Sequence, residues 1–309
     1  MITYSFADRE EAKAILLARD DFLKAQKPWE WSLKMEGETP SPAAGKKPEV
    51  FSLEDYLGFL SGSLLEWQKE EKVRIEQALE GINSRCLSQG ISLSERIQLV
   101  KTSGREEWGS AYTRGRGVIL PEGKLAGYKT AESLGALLAH EIFHVVTRFN
   151  KTLRKALFGL IGFSCTPGGE VQIPVNLPVR VMTNPDSPLR DYWITLEYLG
   201  QEVDLVPLQM LKADLETVDN SRDILSSLSG LFLVLNRDVK PSLPLLLEPR
   251  EVTGWAEKTG DTSGIAVEPE ELLAEYFVDI VFSRRTEGLK RLILQRISRT
   301  LSREYPITF

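Results

Sequence analysis

Thr130 to Asn150 reads T-A-E-S-L-G-A-L-L-A-H-E-I-F-H-V-V-T-R-F-N. Thr130 suits an N-cap, because its hydroxyl can accept a free N–H of the first turn. Glu132 falls in that turn, where it complements the helix dipole. A helix is expected from here to about Arg148 or Asn150. It carries His140, Glu141 and His144 in the arrangement H-E-x-x-H. Residues four apart on an α-helix differ by about 40° in direction and about one turn in height. Both imidazoles can therefore reach one ion at roughly 2.0–2.1 Å. Glu141 lies about 100° round from His140, close enough to reach a water on that ion without binding the ion. Leu137, Leu138, Ile142 and Val145 give the group an apolar setting. Zn2+ held there would lower the pKa of its water towards about 7, and Glu141 would take the proton.

The chain has only 2 histidines. Random placement gives them this spacing in well under about one case in a hundred, and Glu directly after the first lowers that to the order of one in a thousand. A catalytic zinc takes three protein ligands, so the third is not a histidine. The 2 cysteines, Cys86 and Cys165, have no spacing that supports the role. A carboxylate is left, and the best candidates lie in Pro269 to Asp279, P-E-E-L-L-A-E-Y-F-V-D. Proline and two acids open a helix well. Glu271 and Glu275 are one turn apart on one face, as are Glu275 and Asp279. One carboxylate can thus bind metal while the next steadies a ligand imidazole from behind. Leu272, Leu273, Phe277, Val278 and Ile280 bring part of this helix to a core.

These two segments resemble the gluzincin metallopeptidases, whose signature is HExxH plus a distal Glu on a second helix. The second segment looks like the E-x-x-A-(Asp/Asn)-x-F pattern of several gluzincin branches. It is also similar to the P-E-E-(Ile/Leu)-L-A-acid-x-F segment of uncharacterised predicted zinc peptidases. The resemblance implies Glu271 as the ligand, with Glu275 behind an imidazole. A thermolysin-type E-x-x-x-D reading instead implies Glu275 as ligand and Asp279 behind it; the first is preferred. Glu275 stands where that pattern usually has Asp or Asn, and Glu271 lies 127 residues after His144. The segment between would be a sizeable insertion.

Addition of water to a carbonyl creates an oxyanion that needs a donor. With both histidines used, Tyr192, close to Arg190 in N-P-D-S-P-L-R-D-Y-W, is the candidate, with Tyr112 and Tyr198 competing. Gly117 to Leu120, before the histidine helix, reads as a short edge strand ending at Pro121. It could bind an extended peptide by β-augmentation, though an ordinary edge strand explains it equally well.

Outside these segments the chain is average. It has 309 residues, 42% hydrophobic and 27% charged, as in an ordinary soluble globular protein. A net charge of −6 and a pI near 5.3 weigh against nucleic-acid binding. Two unpaired cysteines fit a reducing compartment. No basic-then-apolar leader opens the sequence, and no apolar run reaches the ~18 residues a membrane helix needs. A cytoplasmic protein without membrane association is expected. Helix is expected over 7–27, an exposed connection over 36–50, and helix from the Ser52 cap to about Cys86. Strands are expected in Ile91–Thr102 and Ser229–Asn236. Tyr192–Leu199 and Val203–Leu211 read as mixed, and one or two helices run over Pro269–Leu301 with a break near Gly288.

The expected fold is α+β and zincin-like: the histidine helix packed on a small mixed sheet, additional N-terminal helices, and a β-rich insertion. The expected division is an N-terminal helical region, 1–90, and a metallopeptidase domain, 91–309, with the insertion at about 151–268. The expected function is zinc-dependent hydrolysis of a peptide or protein substrate. His140, His144 and Glu271 or Glu275 would hold zinc, with Glu141 as general base and Tyr192 assisting. The alternatives are a zinc hydrolase or tailoring enzyme acting on a non-peptide small molecule, and a non-catalytic metal-binding or interaction protein.

Overall fold

The chain opens with β1 (Thr3–Phe6) and three short helices, α1 (Arg9–Leu16), α2 (Asp21–Ala25) and α3 (Pro28–Met35). Asp8 and Asp20 each accept backbone N–H groups at a helix start. The second cap restarts the helix, so the single helix expected over 7–27 is two. This computed structural model describes residues 1–35, 51–166, 169–174, 177, 179–211, 224, 227–235, 245–263 and 266–303. The connection expected over 36–50 lies outside them. Helix α4 (Leu53–Gly62) begins at Ser52, whose hydroxyl accepts from Asp55 N while the Asp55 carboxylate accepts from Ser52 N. The pattern breaks after Gly62, where Leu64 bridges to Thr102, and resumes as α5 (Lys69–Ser88).

Strands β2 (Arg96–Thr102), β3 (Tyr112–Arg114) and β4 (Gly117–Pro121) join β1 in a mixed sheet of order β1-β2-β4-β3. The β1–β2 and β2–β4 pairs are parallel, and β3–β4 is antiparallel. Gly117 to Leu120 is therefore not an edge. Gly115 takes φ +53°, which folds Tyr112–Arg114 back over β4. The edge is β3.

Helices α6 (Glu122–Gly127), α7 (Ala131–Phe149) and α8 (Lys151–Leu160) follow. Thr130 caps α7 as expected, accepting from Ser133 N. Leu134, Leu138 and Ile142 of α7 share one core with Ile97, Leu99, Val118 and Leu120 of the sheet and Ile75, Leu79 and Ile82 of α5. From within 1–90, β1 supplies an outer strand of the sheet and α5 a wall of the core.

The expected β-rich insertion is an antiparallel sheet of its own. Strands β5 (Phe163–Cys165), β6 (Arg180–Val181), β7 (Tyr192–Tyr198), β8 (Gln201–Leu211), β9 (Leu228–Leu235) and β10 (Leu246–Leu247) form it. The order is β10-β9-β8-β7-β5, with β6 also on β8. Both segments read as mixed are strands. Ile194, Leu196, Leu205 and Phe232 point one face into the same core.

Helices α9 (Trp255–Thr259), α10 (Pro269–Val281) and α11 (Gly288–Leu301) close the chain, with the break before Gly288 where expected. Helix α10 is pinned to α7. Phe143 and Phe277 stack with centroids 5.0 Å apart. Gly135 leaves room for the Phe282 ring, which would stand 3.2 Å from a Cβ there. Gln89, which caps the end of α5, donates its amide to the carbonyls of Ile280 and Val281, at the end of α10. The two helices bearing the candidate ligands are thereby held in fixed register. The fold class is α+β, and no helix among the described residues is long and apolar enough to cross a membrane.

Candidate metal centre

His140 and His144 turn the same atom, Nε2, towards one carboxylate oxygen of α10. Glu271 Oε2 lies 3.2 Å from His140 Nε2 and 3.8 Å from His144 Nε2. One ligand atom from each of the three falls within 4.8 Å of the others. Behind His140, Glu275 Oε1 lies 3.3 Å from Nδ1. Asp279 is elsewhere: its carboxylate pairs with Lys290 at 2.7 Å and Arg284 at 3.5 Å. The geometry groups Glu271 with both imidazoles and sets Glu275 behind one.

These residues fit a divalent metal. His144 is 1% exposed, and among the described residues neither of its ring nitrogens has a hydrogen-bond partner. Such a buried, unsatisfied imidazole is costly. A metal facing Glu271 Oε2 would satisfy it, and two imidazole nitrogens with one carboxylate oxygen form a familiar zinc donor set.

Charge in the site is strongly polarised. Burial opposes a charge on His140, but its contacts with Glu271 and Glu275 outweigh this and push its pKa up to about 11. Burial would raise Glu271, yet the two histidines and Asn184 hold it near 2. Burial pushes His144 down. Burial and then the Asp186 charge push Glu141 well above the usual carboxylate range, against the pull of His140. Among the described residues, Glu141 Oε2 is buried without a hydrogen-bond partner.

The loop between β6 and β7 supplies two further residues. Asn184 Nδ2 donates to Glu271 Oε1 at 2.8 Å and to Glu268 Oε2 at 2.6 Å. Asp186 Oδ1 accepts from Thr113 N at 2.8 Å and Thr113 Oγ1 at 2.5 Å. Asp186 also lies within the same 4.8 Å limit of Glu141 and His144. Arg148, in the last turn of α7, donates to the carbonyls of Gly115, Pro185 and Asp186 and to Thr113 Oγ1. It ties helix, hairpin and loop together. The sequence reading passed over Asn184, Asp186 and Arg148. The one available signal was N-P-D-S-P, where short polar side chains between prolines often bind backbone.

A cleft of about 590 Å³ opens over the group, lined by His140, Glu141, Asp186, Glu271, Trp108 and Tyr112 among others. Tyr192 does not line it. It is fully buried, edge-on to Phe158 and Phe163, with its hydroxyl 3.2 Å from Ser187 Oγ. Alternation along β7 sends Tyr192 inward with Ile194 and Leu196, so the assisting role expected of it is withdrawn. Among the tyrosines lining the cleft, Tyr276 donates to Thr259 O at 2.9 Å and Tyr112 faces Glu106 Oε1 at 3.5 Å. Comparison with known protein families, curated proteins and solved structures finds no match for this chain.

Proposed function

We propose that the chain is a zinc-dependent hydrolase acting on an amide bond, with a peptide as its substrate class. The observation that carries this is the convergence of His140 Nε2, His144 Nε2 and Glu271 Oε2 beside Glu141, with His140, Glu141 and Glu271 lining a cleft. Zinc in that position would polarise the scissile carbonyl and lower the pKa of a water towards about 7. Glu141 would carry the proton, accepting it from the attacking water and returning it to the leaving amine. Burial raises its affinity for a proton, which suits the accepting half of that task. Glu275 orients His140 through Nδ1 and favours donation from Nε2.

One observation favours a second reading. The N–H of Thr113 on edge strand β3 is already taken by Asp186, which interrupts pairing with an extended peptide there. A compact non-peptide substrate meets no such obstacle in a cleft of this volume.

Metal content of the purified protein, by mass spectrometry, tests the proposal beside His144→Ala and Glu141→Gln. The expected result is one zinc per chain, lost in the first variant and kept in the second. Hydrolysis of a peptide library should fall by at least about 10²-fold in Glu141→Gln. No zinc uptake by the wild type would end the hydrolase reading. Zinc without peptide cleavage would favour the second substrate class.

A further inference from the structure

We propose that Asn184 is a positioning residue that makes Glu271 a one-oxygen ligand, so that the inserted sheet completes the metal centre. The proposal rests on the metal reading above. A free carboxylate can approach a metal through one oxygen or both, and the second oxygen would fill the position that a substrate or water needs. In this structure the choice is already made. Glu271 Oε1 is held by Asn184 Nδ2 at 2.8 Å, while Oε2 is left facing the two histidines.

Asn184 itself has no freedom to let go. Its amide carries two N–H donors, and the second meets Glu268 Oε2 at 2.6 Å. Its Oδ1 accepts from Asp186 N at 2.9 Å. The side chain is buried beside its neighbours, the residue being 8% exposed. The loop is anchored on both sides. Before Asn184, Thr183 N and Oγ1 donate to Glu30 at 2.9 and 3.1 Å. After it, the carbonyls of Pro185 and Asp186 accept from Arg148. Amide chemistry is what the place requires. It offers two donors and no charge between two carboxylates, where an aspartate would add a third negative group.

The test uses the full chain. Zinc affinity is measured by competition with a chromogenic chelator, and coordination by visible absorption of the cobalt(II)-loaded protein. The variants are Asn184→Ala and, should that fail to fold, Asn184→Ser, which also loses the reach to Glu271. Thr183→Ala serves as control, because it loosens the same loop without touching Glu271. The expected result for the Asn184 variants is zinc binding weakened about 10- to 100-fold, with weaker cobalt absorption as the coordination number rises. Thr183→Ala should keep both properties. Wild-type affinity and spectrum in the Asn184 variants would overturn the proposal and leave the metal reading standing. Equal loss in Thr183→Ala would also overturn it, assigning the effect to the loop as a whole. A wild type that takes up neither metal would overturn the metal reading, and this proposal with it.

Discussion

His140 is clasped by carboxylates on both ring nitrogens, Glu271 at Nε2 and Glu275 at Nδ1. Without a metal on it, the ring keeps both protons at neutral pH, since its pKa stands at about 11. A metal on Nε2 must displace one of them. Zinc uptake at pH 7 should therefore release a proton, and affinity should weaken by about tenfold per pH unit on going down from pH 9 to 7. Titration calorimetry in buffers of different ionisation enthalpy measures the release. Heats independent of buffer would show His140 to be neutral already. At this scale the sequence was readable where chemistry depends on local spacing. One helical turn relates His140 to His144, and another relates Glu271 to Glu275, so spacing paired the candidate residues, while the resemblance chose Glu271 over Glu275 as the candidate ligand. Asn184 and Asp186 did not, because a loop has no period and nothing in N-P-D-S-P points across the chain to α7. Tyr192 misled because Arg190 and Asp191 beside it suggest a polar surface, whereas strand alternation turns the tyrosine into the core.

The elements bearing the candidate ligands meet through close packing that tolerates little added volume. Gly230 in β9 lies directly over Val267, just before α10; a Cβ there would stand 2.5 Å from Val267 Cγ2. Gly230→Ala must push Val267, and with it the chain leading into Glu268 and Glu271. The expected cost is about 1–3 kcal/mol of overpacking, read by chemical denaturation, together with weaker zinc binding. Destabilisation with unchanged zinc affinity would mean that the strain is absorbed within the second sheet. The helices and their caps were readable in the sequence because Thr130, Ser52 and Pro269 signal helix starts by local chemistry. The misplaced edge has an equally local cause. Gly117 to Leu120 was read as an edge strand, but Gly115 turns the chain and adds β3 outside β4. Which sheet face meets which helix depends on long-range packing, to which a window of sequence is blind.

Across the whole molecule, the N-terminal helices act on the cleft from a distance. Lys34 of α3 and Glu107 pair at 2.5 Å with their side chains 1% and 7% exposed. Burial pushes the Glu107 carboxyl up to about 7 even with Lys34 alongside, while Lys34 is shifted upward and stays charged. The ordinary value for Glu107 is 4.5, so between there and pH 7 the folded protein holds the extra proton. Its contribution to stability is greatest below that window, declines as pH rises through it, and levels off above. Unfolding free energies at pH 5 and pH 7.5 should show the decline, and Glu107→Gln should lack it. The same decline in the variant would assign it to other groups. One turn earlier on α3, Glu30 accepts from Thr183, and both Thr183 and Glu107 line the cleft. The two anchors are four residues apart, about 6 Å along the helix axis. Helix α3 is therefore a spacer whose pitch sets the gauge of the opening at that end. One alanine inserted between Glu30 and Lys34 would swing one anchor by about 100° and release a wall. Hydrogen exchange at Thr183 N–H should then quicken, with the histidine helix still protected. What the cleft can admit is thus measured out by a segment more than a hundred residues upstream of the first histidine.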